Sequence, residues 1–226
     1  MAEKTQHHDF IEVDYTGRLT DGTVFDTTVE NVAKEAGLPT DKVKYAPAVV
    51  CIGEKQILPG LDHSLENQEI GKSVTVNLKP EQAFGKRDVK NLRIVPMNTF
   101  KEHKVQPQPG LQIDVDGQMG TIVRVSGGRV IVNFNHPLAG KEVVYEVTIK
   151  RRLTDVGEKL VSFLNSTFRI PSDKINVEVK EDKAEVRLPV QFPEQIAKEI
   201  AKKLADVVQL KEVKFVNSVA TKPGEK

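Results

Sequence analysis

The sequence is poor in the residues that most covalent and redox chemistry needs. One cysteine, Cys51, stands among 226 residues, so neither a disulfide framework nor a CxxC redox pair can be built. It sits inside the apolar run Val49-Val50-Cys51-Ile52 and reads as a small buried hydrophobe. The five histidines (His7, His8, His63, His103 and His136) are scattered without metal-ligand spacing, so neither a metal centre nor a cofactor is expected. There is no Gly-rich phosphate loop, GxSxG elbow or HExxH helix. An excess of one charge is missing too: 33 Lys+Arg against 32 Asp+Glu leaves a formal charge of +1, which argues against a broad basic surface and a nucleic-acid partner. No eighteen apolar residues run together, and Met1 to Phe10 is polar, so a soluble, cytoplasmic chain with no membrane partner is expected.

What is present is an ordered series of short elements, in a chain long enough for two or three units. Ile11, Val13 and Tyr15 alternate with polar residues as a half-buried strand. Asp21-Gly22 marks a hairpin turn into a returning strand through Val24, Phe25 and Asp26. Glu30 to Pro47 reads as a polar surface excursion, helical near Val32 to Ala36. Ala48 to Ile52 resumes the sheet, Pro59 to Leu65 suggests a short helix, and Val74, Val76 and Leu78 form a strand stopped by Pro80. From Gly85 the texture becomes charged, and Gln106-Pro107-Gln108-Pro109-Gly110 is a breaker. Short strands around Ile113 to Val115, Gly120 to Val125 and Arg129 to Val132, with turns at Asp116-Gly117 and Gly127-Gly128, make a small all-β unit. Alternation from Lys141 to Leu153 then returns to the first sheet, so that unit is inserted. Beyond Thr154 the order is α-β-β-α-β, a segment small enough to need another surface to complete its core, followed by a tail from Lys222 to Lys226.

Three carboxylates, Asp14, Asp21 and Asp26, fall in the first hairpin and invite an acid-base reading. Asp21 is explained by turn chemistry, whereas Asp26 follows an aromatic residue and enters an apolar run.

The stretch Val13 to Asp26 (VDYTGRLTDGTVFD) resembles the first signature of the FKBP family of peptidyl-prolyl cis/trans isomerases. Gly53 to Leu61 (GEKQILPGL) resembles the second, and Ala83-Phe84-Gly85 the flap element. Asn135 to Gly140 (NHPLAG) is similar to the segment closing the insert in the SlyD-like branch, and the C-terminal extension resembles the long archaeal members. The resemblance implies an α+β fold: an FKBP-like antiparallel half-barrel around a short helix (1–86 and 134–153), an inserted flap chaperone domain (87–133) and a C-terminal α-β-β-α-β domain (154–226). It implies a catalytic set of Tyr15, Phe25, Asp26, Ile57, Leu58 and Tyr145, with Leu61, Phe84 and Leu138 also binding substrate. Leu61 stands where compact members commonly have tryptophan, and Phe84 replaces the flap tyrosine, which puts macrolide affinity in question. The histidine-rich tail of bacterial relatives is absent, so no nickel role is carried over.

The expected activity is rotation of X-Pro bonds in a desolvated apolar pocket, with no nucleophile, metal or cofactor. The inserted unit is expected to bind unfolded chains through exposed positions among Val89, Leu92, Ile94, Met97 and Phe100, the competing role of each being its own core. The partners expected are unfolded or proline-containing polypeptides. Two other readings stay open: a non-catalytic holdase, and an interaction protein working as a homodimer through 155–226.

Overall fold

The computed structural model describes residues 3–41, 43–115 and 117–217. Asp116 of the expected Asp116-Gly117 turn, and the tail from Lys222 to Lys226, lie outside the described residues. Two compact units are present, 1–77 with 144–226, and 78–143.

Alternation in the first signature produces the ten-residue strand β1 (Phe10–Leu19), whose two halves serve different partners. Its second half pairs antiparallel with β2 (Val24–Thr27), Thr16 opposite Thr27 and Gly17 opposite Asp26. After α1 (Glu30–Glu35) and a loop, its first half pairs antiparallel with β3 (Ala48–Cys51), Phe10 opposite Cys51. Pro59 opens the six-residue helix α2 (Pro59–Ser64) at a position where its missing N–H costs nothing, and β4 (Ser73–Leu78) follows.

The second unit holds β5 (Leu92–Pro96), α3 (Met97–Glu102), β6 (Gln112–Val115), β7 (Gln118–Ser126) and β8 (Arg129–Asn133). Its sheet runs β5-β8-β7-β6, antiparallel throughout. Gly127 and Gly128, at φ +57 and +75, make the two-residue turn between β7 and β8 that side chains would strain. The expected all-β insert needs a correction, because α3 interrupts it. Pro96 ends β5, and the turn of helix beyond it lowers Phe100 onto Ile122, Val130, Val132 and Phe134.

The chain then returns through β9 (Val143–Arg152), giving a five-stranded sheet in which β2, β1, β9 and β4 are neighbours in that order and β3 pairs with β1. The C-terminal segment is α4 (Val156–Phe168), β10 (Asn176–Lys180), β11 (Lys183–Leu188), α5 (Glu194–Val208) and β12 (Glu212–Asn217). Asp155 caps α4 by accepting from the Glu158 N–H at 2.7 Å. β11 pairs antiparallel with β10 and, after the α5 crossover, parallel with β12.

One apolar cluster joins this segment to the first sheet: Phe10, Cys51 and Leu153 pack with Leu160, Phe163, Leu164, Val186 and Leu204. The core that the α-β-β-α-β segment is too small to complete is thus finished by Phe10 and Cys51 at the ends of β1 and β3 and by Leu153 just past β9. Leu160 is 0% exposed in that cluster. Leu160→Ala is therefore expected to remove about 2–5 kcal/mol of stability, measured by urea unfolding of the full chain. Burial pushes the Cys51 thiol up to about 12, leaving it inert as a nucleophile.

Candidate functional site

The long strand β1 and its hairpin partner β2 put three candidate side chains on neighbouring backbone, and β9 adds a fourth. The Tyr15 and Tyr145 rings lie 5.9 Å apart, and Phe25 meets Tyr145 edge-on at 5.8 Å. Pairs in such tilted geometry contribute about 0.5–1.5 kcal/mol each beyond their burial, so the trio is a fixed wall. Gly17 makes the approach possible. A Cβ there would sit 2.8 Å from Phe25 Cζ and 2.9 Å from Tyr145 Cζ. Gly17→Ala should therefore push the rings apart and lower kcat/KM on a proline peptide about tenfold while the far-ultraviolet circular dichroism is unchanged.

Asp26 is the polar member of the group, close enough to Tyr15 for each to shift the other's titration. Burial, then the Asp26 charge, pushes the Tyr15 phenol up to about 12, so it remains a protonated donor through the neutral range. Burial and the Asp26 charge raise Tyr145 as well. Crowding raises the Asp26 pKa, while Tyr15 and the Thr27 N–H pull it back. Asp26 itself is exposed to solvent. Asp14 is not part of this chemistry: Thr28 Oγ1 donates to it at 3.0 Å and Lys150 pairs with it at 2.6 Å. Asp21 accepts from the Thr23 N–H at 2.9 Å, a turn role.

Tyr15, Phe25 and Asp26 line a cavity of about 350 Å³. The lining also includes Leu38, Val43 and Tyr45 of the loop between α1 and β3, with the Tyr45 hydroxyl donating to the Pro39 carbonyl at 2.9 Å. These residues were hidden in a polar stretch without periodicity, and only the isolated aromatic Tyr45 could have signalled them. A larger cavity, about 890 Å³, lies between α5 and β12. It is lined mainly by alanines and charged side chains with no aromatic cluster, so the smaller cavity is the better chemical candidate.

The second signature forms the turn into α2. Ile57 and Leu58 are half-buried there and Leu61 is buried on the helix. Among the described residues, the Leu58 N–H has no hydrogen-bond partner. In the second unit, Phe84 stacks on His136 with ring centroids 4.7 Å apart, and the Leu138 N–H donates to His136 Nδ1 at 3.2 Å. Val89 and Ile94 are 78% and 61% exposed, and Leu92 is exposed beside them. Phe100, at 6%, is the centre of that unit's core with Met97 packed against it, so these two take the core role.

Residues 93–138 match the family described as FKBP26, IF domain. Over 150 residues, 66% of this chain, the sequence is 32% identical to the short-type peptidyl-prolyl cis-trans isomerase of Methanocaldococcus jannaschii, 95% of which is covered. It is 30% identical to a probable FKBP-type 16 kDa peptidyl-prolyl cis-trans isomerase of Pseudomonas fluorescens, covering 46% of this chain and 71% of that one. It is 31% identical to the FKBP-type isomerase SlyD of Aeromonas hydrophila, covering 66% of this chain and 65% of that one. Among the described residues no helix is long and apolar enough to cross a membrane.

Proposed function

Because the chain belongs to the FKBP-type peptidyl-prolyl cis-trans isomerase family, we propose that it turns X-Pro bonds in the cavity lined by Tyr15, Phe25 and Asp26, with the buried Tyr145 ring packed against the two aromatics. The barrier to that rotation is about 18–20 kcal/mol, because the planar amide loses resonance as it twists. No bond to the protein needs to form. An apolar wall that excludes water disfavours the charge-separated planar amide relative to the less polar twisted one, and shape can favour the twist. Asp26, beside Tyr15 in the cavity lining, orients the neighbouring groups and the twisted amide and transfers no proton. The Leu58 N–H, without a partner of its own, is available to a substrate carbonyl beside the Ile57 and Leu61 side chains.

The observation that carries this reading is a single hollow lined by the Tyr15 and Phe25 rings and the Asp26 carboxylate, with the Tyr145 ring packed against both aromatics. A protease-free assay of a proline tetrapeptide tests it. Turnover by the full chain supports it, and a chain that suppresses client aggregation without turnover is the non-catalytic holdase instead.

The finer parts of the proposal concern partners and organisation. Domains 1–86 with 134–153, 87–133 and 154–226 serve as isomerase, chaperone insert and extension, in a cytoplasmic protein. Unfolded or proline-containing polypeptides bind the insert through Val89, Leu92 and Ile94, whose exposure supports a client surface. Pairing of two copies through 155–226 is read from light scattering of the full chain.

A further inference from the structure

The turn that carries Ile57 and the Leu58 N–H is held from several sides, and two of the holds come from the C-terminal segment. Asp62, buried on α2, accepts from the Gly53 N–H at 2.9 Å and the Lys55 N–H at 3.0 Å. Gln56 spans outward. Its Oε1 accepts from the Cys51 N–H at 2.8 Å, while its Nε2 donates to Ser166 Oγ at 2.8 Å and to Thr167 Oγ1 at 3.3 Å, both in the last turn of α4. Ser166 can accept because its own proton goes to the Phe163 carbonyl at 3.1 Å. Glu54 reaches the other helix: its side chain is only 9% exposed and pairs with Lys203 Nζ of α5 at 2.5 Å, with His8 Nε2 at 3.5 Å.

Exposed ion pairs contribute little, but a carboxylate this enclosed is costly once its cation is removed. Lys55 also holds a left-handed φ of +55, a conformation that persists only where the surroundings impose it. The turn's shape is thus over-determined by contacts, and part of that determination lies more than a hundred residues away in the chain.

We infer that Glu54 and Gln56 are positioning residues through which α4 and α5 fix the turn presenting the Leu58 N–H, making the C-terminal segment a determinant of prolyl-peptide binding; this rests on the isomerase reading above. Released from Lys203, Ser166 and Thr167, the turn would sample other conformations, and a peptide would have to reorder it on binding. A carbonyl contact held alike in ground and transition states appears in KM.

The test uses the full chain and a proline tetrapeptide in a protease-free assay, with kcat, KM and melting temperature measured together. Lys203→Met combined with Ser166→Ala and Thr167→Val should raise KM about tenfold with kcat within about twofold. Lys203→Arg in place of Lys203→Met, with Ser166 and Thr167 intact, should restore the original KM. A lower melting temperature with unchanged KM would overturn the inference, leaving those contacts as structural glue. An inert unmodified chain would overturn the inference and the isomerase reading beneath it together.

Discussion

Phe25→Ala and Asp26→Ala are each expected to lower kcat/KM on a proline tetrapeptide by about one to two orders of magnitude, with cooperative unfolding retained. Phe25 meets Tyr145 edge-on at 5.8 Å, so its removal opens the wall and admits water where the twisted amide should be driest. A hundredfold loss corresponds to about 2.7 kcal/mol of transition-state stabilisation, within what one desolvating side chain or one oriented charge supplies in a water-poor site. Because that stabilisation is realised in the twisted state, the loss should fall on kcat. Phe25 is half-buried, so a stability change large enough to explain the result is not expected. Single-turnover exchange rates beside a urea unfolding curve separate the two effects. Unchanged turnover in both variants would remove these residues from the site.

The second large effect concerns protein clients. Replacing Val89, Leu92 and Ile94 together with serine should slow proline-limited refolding of an unfolded protein at least about tenfold. Tetrapeptide turnover should be unaltered. The three side chains are exposed, so their loss costs the second unit little. On the proposed client surface, a client held by this unit would gain effective concentration at the isomerase site, and abolishing the hold would remove that gain while leaving the pocket residues in place. Equal losses on peptide and protein would show instead that the substitutions damage the isomerase site itself.

Which parts of this architecture could be read in advance follows from where the information lies. β1 and β2 were legible because period-two alternation and the Asp21-Gly22 turn are local signals. The aromatic group became legible once the first signature fixed the context of Tyr15 and Phe25. The loop's share of the cavity lining was not: Leu38, Val43 and Tyr45 sit in a stretch whose backbone follows no period, and their placement depends on the strands they face. β5 and α3 were missed because the charged residues around Lys86 to Lys90 mask a strand whose inward face is short, with Arg93 lying over the Phe134 ring at 4.8 Å. The joining of Phe10, Cys51 and Leu153 to α4 and α5 was invisible because amphipathicity says that a face is buried, never against what.

The central claim is tested most directly by locating the prolyl ring of a peptide while it is being turned over. Transferred and intermolecular nuclear Overhauser effects on the full chain, with ring-labelled tyrosine and phenylalanine, supply that location. The account predicts contacts from the prolyl ring to Tyr15, Phe25 and Tyr145 in a peptide whose cis and trans forms exchange at an accelerated rate. Accelerated exchange with the prolyl ring contacting only the α5 and β12 groove, or binding at the aromatic group with no acceleration, would contradict it.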